Sequence, residues 1–189
     1  DVIEHTSCPL AALVGYPVTT LLEAAGKYRY DSRVCFTLKR FHYMDIKTVG
    51  IIGAGTMGNG IAQACAVSGV HVVMVDISDA AVQKGLATVS SSLDRLIKKE
   101  KISQADKDAA MARIKTSTSY DDLKAAQLVI EAATENYELK LKILKQIDGI
   151  VGPEVLIASN TSSISITKLA AATSRADKFI GMHFFNPVP

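Results

Sequence analysis

A doubly wound α/β fold, with a parallel sheet covered by helices on both faces, follows from three features of this 189-residue chain. A short β-branched run, Val49-Gly50-Ile51-Ile52, leads into glycines spaced G-x-G-x-x-G at Gly53, Gly55 and Gly58, and a helical pattern follows at once. A second apolar run, from Val70 to Val75, ends on Asp76. From there onward short apolar runs alternate with helical patterns, a layout that implies parallel strands joined by right-handed crossovers.

The glycines have distinct duties. Gly53 takes the tight turn at the strand end, Gly55 lets a pyrophosphate approach the backbone, and Gly58 lets the helix pack close to the strand. An anion then rests on the helix N-terminus, where free N–H groups and the helix dipole favour negative charge. Asp76 lies roughly 20 residues beyond the glycines, the spacing of a carboxylate that meets the ribose hydroxyls of a dinucleotide. A lone G-x-G-x-x-G is weak evidence, but here the strand, the helix and the acid are all in place.

Composition narrows the class. Hydrophobic residues make up 48% of the chain and charged ones 21%, enough for one ordinary core. A net charge of +2 and the absence of tryptophan give nucleic acid little to bind. Cys8, Cys35 and Cys65 form no CxxC pair and are odd in number, which fits a reducing compartment and predicts a cytoplasmic protein. No apolar run is long enough to cross a bilayer, so no membrane partner is expected.

Residues 1–44 read as a leader of unknown role, and 45–189 as the nucleotide domain. The chain opens on Asp1 rather than Met, which predicts that it is cut or incomplete there. Leu10 to Ala25 is apolar, but Pro17 breaks it and Glu23 charges it, and the acidic start does not suit a secretory signal. From Asp45 the predicted order is regular. Ile46–Ile52 is strand one, Thr56–Ser68 helix one and Val70–Asp76 strand two. Ser78 caps a long helix whose face carries Val82, Leu86, Val89, Leu93 and Leu96. Ser103 and Asp106 restart a helix to about Ile114, giving a helical hairpin that projects from the sheet. Lys115–Ser119 is a weak third strand and Gln127–Ala132 a buried fourth. Glu135–Val151 is a helix with Leu139, Ile143, Leu144, Ile147, Ile150 and Val151 inward. Val155–Ser159, a short helix Ser165–Ala172 and a strand Lys178–His183 complete the chain.

Ligands of such sheets bind beyond the carboxyl ends of the strands. Asp76, Glu131, Glu135, Ser159 to Ser163 and His183 all fall there. Each has a bland reading too. Ser159-Asn160-Thr161-Ser162-Ser163 is what turns and caps use, and a lone His183 is more often structural. Beside a nicotinamide, an imidazole is also suited to take a proton from an alcohol. Lys98, Lys99 and Lys101 read as a solvated face, or as a partner for phosphates.

Four segments together resemble the L-3-hydroxyacyl-CoA dehydrogenase family, and most of all its bacterial 3-hydroxybutyryl-CoA members. They are Gly53 to Ala62, Glu131-Ala-Ala-Thr-Glu-Asn136, Ala158-Ser-Asn-Thr-Ser-Ser163 and His183-Phe-Phe-Asn-Pro-Val-Pro189, in the family's order and spacing. The resemblance covers about residues 45–189. It implies a Rossmann-type sheet, NAD as cofactor, and oxidation of 3-hydroxyacyl-CoA to 3-oxoacyl-CoA in fatty acid or butanoate metabolism. It places Gly53, Ala54, Gly55, Thr56, Met57, Gly58, Asp76, Glu135, Lys140, Ser162 and Asn186 around NAD. It puts Ser92 and Lys99 on coenzyme A, Ser162 on the substrate oxygen, and His183 as general base. The family's histidine is held by a glutamate beyond this chain, and its C-terminal helical domain is absent here, so poor activity is expected of this chain alone. The full-length family implies a homo-oligomer, and this portion a monomer. Other readings are a different NAD(P)-linked 3-hydroxyacid or nucleotide-sugar dehydrogenase, or a non-catalytic NAD-binding structural relative.

Overall fold

A computed structural model describes residues 45–188. The expectations for residues 1–44 lie outside the described residues. Elements in chain order are β1 Thr48–Ile52, α1 Thr56–Val67, β2 His71–Val75, α2 Asp79–Lys98, α3 Gln104–Ala112, β3 Ile114–Ser117, β4 Leu128–Glu131, α4 Tyr137–Asp148, β5 Leu156–Ser159, α5 Ile166–Ala170 and β6 Phe179–Gly181. The strands form one parallel six-stranded sheet in the order β3-β2-β1-β4-β5-β6. The chain order reverses between β1 and β4, and such a switch point opens a crevice at the carboxyl ends of the strands.

The pleat assigns the two faces. Val49, Ile51, Val72 and Met74 alternate with Gly50, Ile52, Val73 and Val75, and nearly all are buried. On the first set lie α1, α2 and α3, through Ile61, Cys65, Val82, Val89, Leu93 and Ala110. The second set joins Leu123, Val129, Ile157 and Phe179 in a cluster closed by Ile143, Leu144 and Ile147 of α4 and Leu169 of α5. Right-handed crossovers produce this division, because the chain winds outward first to one side of β1 and then to the other. Burial pushes the Cys65 thiol up to about 11, so it remains protonated at neutral pH and serves as a small apolar side chain.

Local capping sets the element starts. The Ser78 hydroxyl accepts from Ala81 N at 3.2 Å, and Ser103 and Asp106 form a reciprocal capping box ahead of α3. α2 and α3 pack on α1, and the turn between them at Lys98 to Lys101 is exposed.

The structure corrects several expectations. α3 ends at Ala112, because Ile114 is recruited to β3 beside Val72. α4 begins at Tyr137 rather than Glu135, because the Asn136 side chain accepts from Leu139 N at 2.9 Å and caps it there. That register leaves Leu139 46% exposed and turns Lys140 inward, and Ile150 is only half-buried. β6 ends at Gly181, so His183 lies beyond the strand. A 3₁₀ turn at Tyr120–Ala125, absent from the predicted order, lays Leu123 over Gly50, where a Cβ would come within 2.6 Å of Leu123 Cδ2.

Away from the crevice, buried Arg175 closes the end of α4. Its Nε donates to Asp148 Oδ1 at 2.6 Å, and its two terminal nitrogens donate to the carbonyls of Asp148, Val151, Gly152 and Val155. Burial works to raise the Asp148 carboxyl, but the Ser174 N–H, the Arg175 guanidinium and the Ser174 hydroxyl outweigh it and hold it below the usual 3.8. Arg175→Met should therefore lower the unfolding free energy by about 3 kcal/mol in urea titrations, since it strands a carboxylate and several carbonyls. The Asp148 contribution is complete above the unfolded pKa near 3.8 and is lost as pH falls below it, so the variant should also flatten the acid side of the stability profile. An unchanged urea midpoint would contradict the clamp.

Candidate active site

The glycine turn is built by close backbone approach. Gly53 has φ +100 and its N–H donates to Val75 O at 2.8 Å. A Cβ on Gly53 would sit 2.7 Å from Ala132 O, and one on Gly58 would sit 1.7 Å from Gly53 O. Helix α1 is therefore seated against β1 as only glycine permits. Gly55 differs, since nothing lies within 4 Å of the position a Cβ would take. It is the N-cap of α1 and offers no side-chain bond, whereas α2, α3, α4 and α5 are capped by Ser78, Ser103, Asn136 and Ser165. The first-turn N–H groups at Thr56, Met57 and Gly58 have no capping acceptor, and Gly55 leaves open space beside them.

Asp76 braces this turn. Its Oδ2 accepts from Ala54 N and its Oδ1 from Ile77 N, both at 2.7 Å. Each carboxylate oxygen keeps a further lone pair for a ligand hydroxyl. Two cavities meet at Asp76. One, of about 300 Å³, runs between Gly55, Asn59, Lys84 and Thr88. The other, of about 340 Å³, is mainly apolar, with Ile52, Tyr120, Leu139 and Ile143 among its walls beside Lys142 and Gln146. Burial, then the charges of Asp76 and Glu131, push the Tyr120 phenol above its usual value. The exposure of Leu139, a departure from the expected core, thus gives this cavity a wall.

A third cavity, of about 240 Å³, continues across the turn toward the ends of β4 and β5. Gly55, Thr56, Met57, Ala133, Glu135, Lys140 and Asn160 line it. Lys140 is fully buried and forms an ion pair with Glu131, and its ammonium lies 3.5 Å from Ser159 Oγ. Glu131 also accepts from Ser159 Oγ at 2.8 Å and from Ala133 N at 2.9 Å. Glu135 accepts from Thr161 Oγ1 at 2.6 Å and from Ser163 Oγ at 3.3 Å, gripping both neighbours of the exposed Ser162.

The ends of β5 and β6 bring Ser162 and His183 onto adjacent loops. Met182 N donates to Ser159 O at 3.0 Å, and Phe184 N donates to Asn160 Oδ1 at 2.8 Å, which fixes the backbone on both sides of His183. The His183 ring is exposed and tilts against Phe185 at 5.0 Å between centroids. Asn186 is exposed, and Val188 returns to α1, where a Cβ on Gly60 would come within 2.7 Å of it. Ser92, half-buried, and Lys99, exposed, lie on the outer half and end of α2, and line none of the three cavities. Asn160, Tyr120 and Asn59 were not singled out as site residues. Asn160 lies within the Ser-Asn-Thr-Ser-Ser segment and Asn59 within the Gly53 to Ala62 segment, but Tyr120 carries no motif. No group of side chains among the described residues could hold a metal ion, and no described helix is long and apolar enough to cross a membrane.

The open Gly55, the braced Asp76, the uncapped α1 and the connected cavities fit a dinucleotide laid across the switch point. Known proteins agree. Residues 48–189 match the family described as 3-hydroxyacyl-CoA dehydrogenase, NAD binding domain. A 3-hydroxybutyryl-CoA dehydrogenase of Bradyrhizobium diazoefficiens is 48% identical over 144 residues, 76% of this chain and 49% of its own length. The fatty acid oxidation complex subunit alpha of Psychrobacter cryohalolentis is 40% identical over 144 residues, 76% of this chain and 20% of its own. Among solved structures, (S)-3-hydroxybutyryl-CoA dehydrogenase PaaH1 from Ralstonia eutropha is 83% identical with a TM-score of 0.75, covering 76% of this chain and 51% of that one. The chain spans about half the length of the curated 3-hydroxybutyryl-CoA dehydrogenases it matches. Through residues 48–189, its NAD-binding domain, the chain belongs to the 3-hydroxyacyl-CoA dehydrogenase family.

Proposed function

We propose that residues 45–189 form the nucleotide half of an NAD-dependent oxidoreductase that converts 3-hydroxyacyl-CoA to 3-oxoacyl-CoA. The names of the relatives favour a short chain such as 3-hydroxybutyryl-CoA. One observation carries the reading: the glycine turn, Asp76 and the loops bearing Ser162 and His183 all converge at the carboxyl end of one parallel sheet. NAD, when bound, supplies the hydride acceptor. The chain's own residues bind and orient it. The α1 N-terminus meets the pyrophosphate, and Asp76 accepts from the ribose hydroxyls.

His183 takes the proton of the substrate C3 hydroxyl on a ring nitrogen, and the Ser162 hydroxyl bonds the same oxygen. Glu135 sets the Ser162 loop through Thr161 and Ser163. The exposed basic tip with Lys99, and Ser92 on the same helix, meet the phosphates of coenzyme A. A base that becomes an imidazolium works best with a carboxylate to orient it. Among the described residues, Glu131 is engaged by Lys140, Ser159 and Ala133 and Glu135 by Thr161 and Ser163, and neither is hydrogen-bonded to His183. The family resemblance supplies that carboxylate from a glutamate outside residues 48–189.

Cofactor choice follows from Asp76. Its carboxylate would repel a 2′-phosphate, and no arginine follows in Ile77-Ser78-Asp79. NADH should bind at least tenfold tighter than NADPH, on the order seen when one unit charge opposes another near a surface. Asp76→Ala should weaken NADH and narrow the gap, as read by fluorescence titration, and equal or tighter NADPH binding would refute the assignment. Turnover should separate from binding. The 189-residue chain should bind NADH yet reduce acetoacetyl-CoA far more slowly than one extended through the family's helical domain. The deficit should be on the order of 10³ to 10⁴, as when a histidine base loses its orienting acid. Near-equal rates would show that His183 already has its partner.

A further inference from the structure

Beneath the third cavity lies a pair of charges that the reaction scheme above leaves without a task. Lys140 lines that cavity, while Glu131 and Ser159 stand behind it. The two charged residues are 1% and 0% exposed. A buried ion pair is weak evidence of a stabilising role, because replacing one by well-packed apolar residues of similar volume is often neutral or stabilising. Their position is more telling. Asp76 holds one end of a dinucleotide at β2 and the α1 N-terminus holds its middle, so the nicotinamide half extends over the ends of β4 and β5 into this cavity.

The two redox states of the cofactor differ there by one charge, since the nicotinamide ring is a cation when oxidised and neutral when reduced. Lys140 and Asn160 are the buried part of that wall, and charges buried there are screened less by water than exposed ones. The Lys140 ammonium alone would repel the oxidised ring, and the Glu131 carboxylate alone would attract it. Resting on the NAD reading of the site, we propose that the Glu131–Lys140 pair sets the ratio of NAD⁺ to NADH affinity. Glu131 acts as a positioning residue whose carboxylate offsets the field of Lys140 at the nicotinamide. Ser159 Oγ and Ala133 N hold that carboxylate in place by hydrogen bonds of 2.8 and 2.9 Å.

The test titrates NADH by its fluorescence and NAD⁺ by competition, on the whole chain and on four variants, each followed by thermal melting. Glu131→Gln should weaken NAD⁺ relative to NADH by about tenfold, and Lys140→Met should shift the ratio about tenfold the other way. The double variant, neutral like the native pair, should return near the native ratio. Each single variant leaves one buried charge alone and loses stability. Asn160→Asp supplies a variant that leaves the pair intact. It adds a carboxylate to the same cavity wall, keeps the acceptor for Phe184 N, and should shift the ratio toward NAD⁺. An unmoved ratio in Asn160→Asp, or equal weakening of both nucleotides in the folded single variants, would overturn the proposal. A native chain that binds neither nucleotide would overturn the NAD reading itself, and this proposal with it.

Discussion

The seating of α1 against β1 through Gly58 is the contact on which the rest of the site depends. A Cβ there would lie 1.7 Å from Gly53 O, so the helix N-terminus is brought to the strand end as closely as backbone allows. That approach leaves Gly55 facing open space and aims the first-turn N–H groups at it. The Ala54 N–H then reaches Asp76 across the turn at 2.7 Å, which couples the acid of β2 to the anion site of α1. Gly85 of α2 repeats the device on the other side, where a Cβ would meet Ala54 O at 2.7 Å. The turn is held from both flanks before any ligand arrives, and preorganisation of this kind lowers the entropic cost of binding.

Much of this was legible in the sequence because it is local. Ser78, the Ser103–Asp106 box and the β-branched runs each act within a few residues of where they are read. The G-x-G-x-x-G turn and Asp76 sit at a spacing that the βαβ unit imposes. The family resemblance then pointed to residues on separate strand ends, and Asp76, Glu135, Ser162 and His183 do stand at the carboxyl end of one sheet.

What was not legible is long-range. Hydrophobic periodicity prefers Leu139 to Lys140 as a core residue, because it treats a lysine as a surface group. The fold reverses that choice since β4 delivers the buried Glu131 to the ammonium. Arg175 reads as an ordinary loop arginine until the carbonyls of Asp148, Val151, Gly152 and Val155 converge on it. The 3₁₀ turn at Tyr120–Ala125 lacks a helical repeat of its own and owes its place to the hollow over Gly50 that Leu123 fills.

The central claim is that the open space at Gly55 exists for a bound dinucleotide rather than for the fold. Gly55→Val tests it most directly, because the backbone there is extended (φ −67, ψ −169) and no atom lies within 4 Å of the added Cβ. The variant should melt within about 1 kcal/mol of the native chain, as substitutions at sites without packing partners do. Its NADH titration should show affinity reduced by more than about tenfold, through loss of the backbone approach to the pyrophosphate. A Gly55→Val chain that folds normally and binds NADH as tightly as the native one would contradict the account.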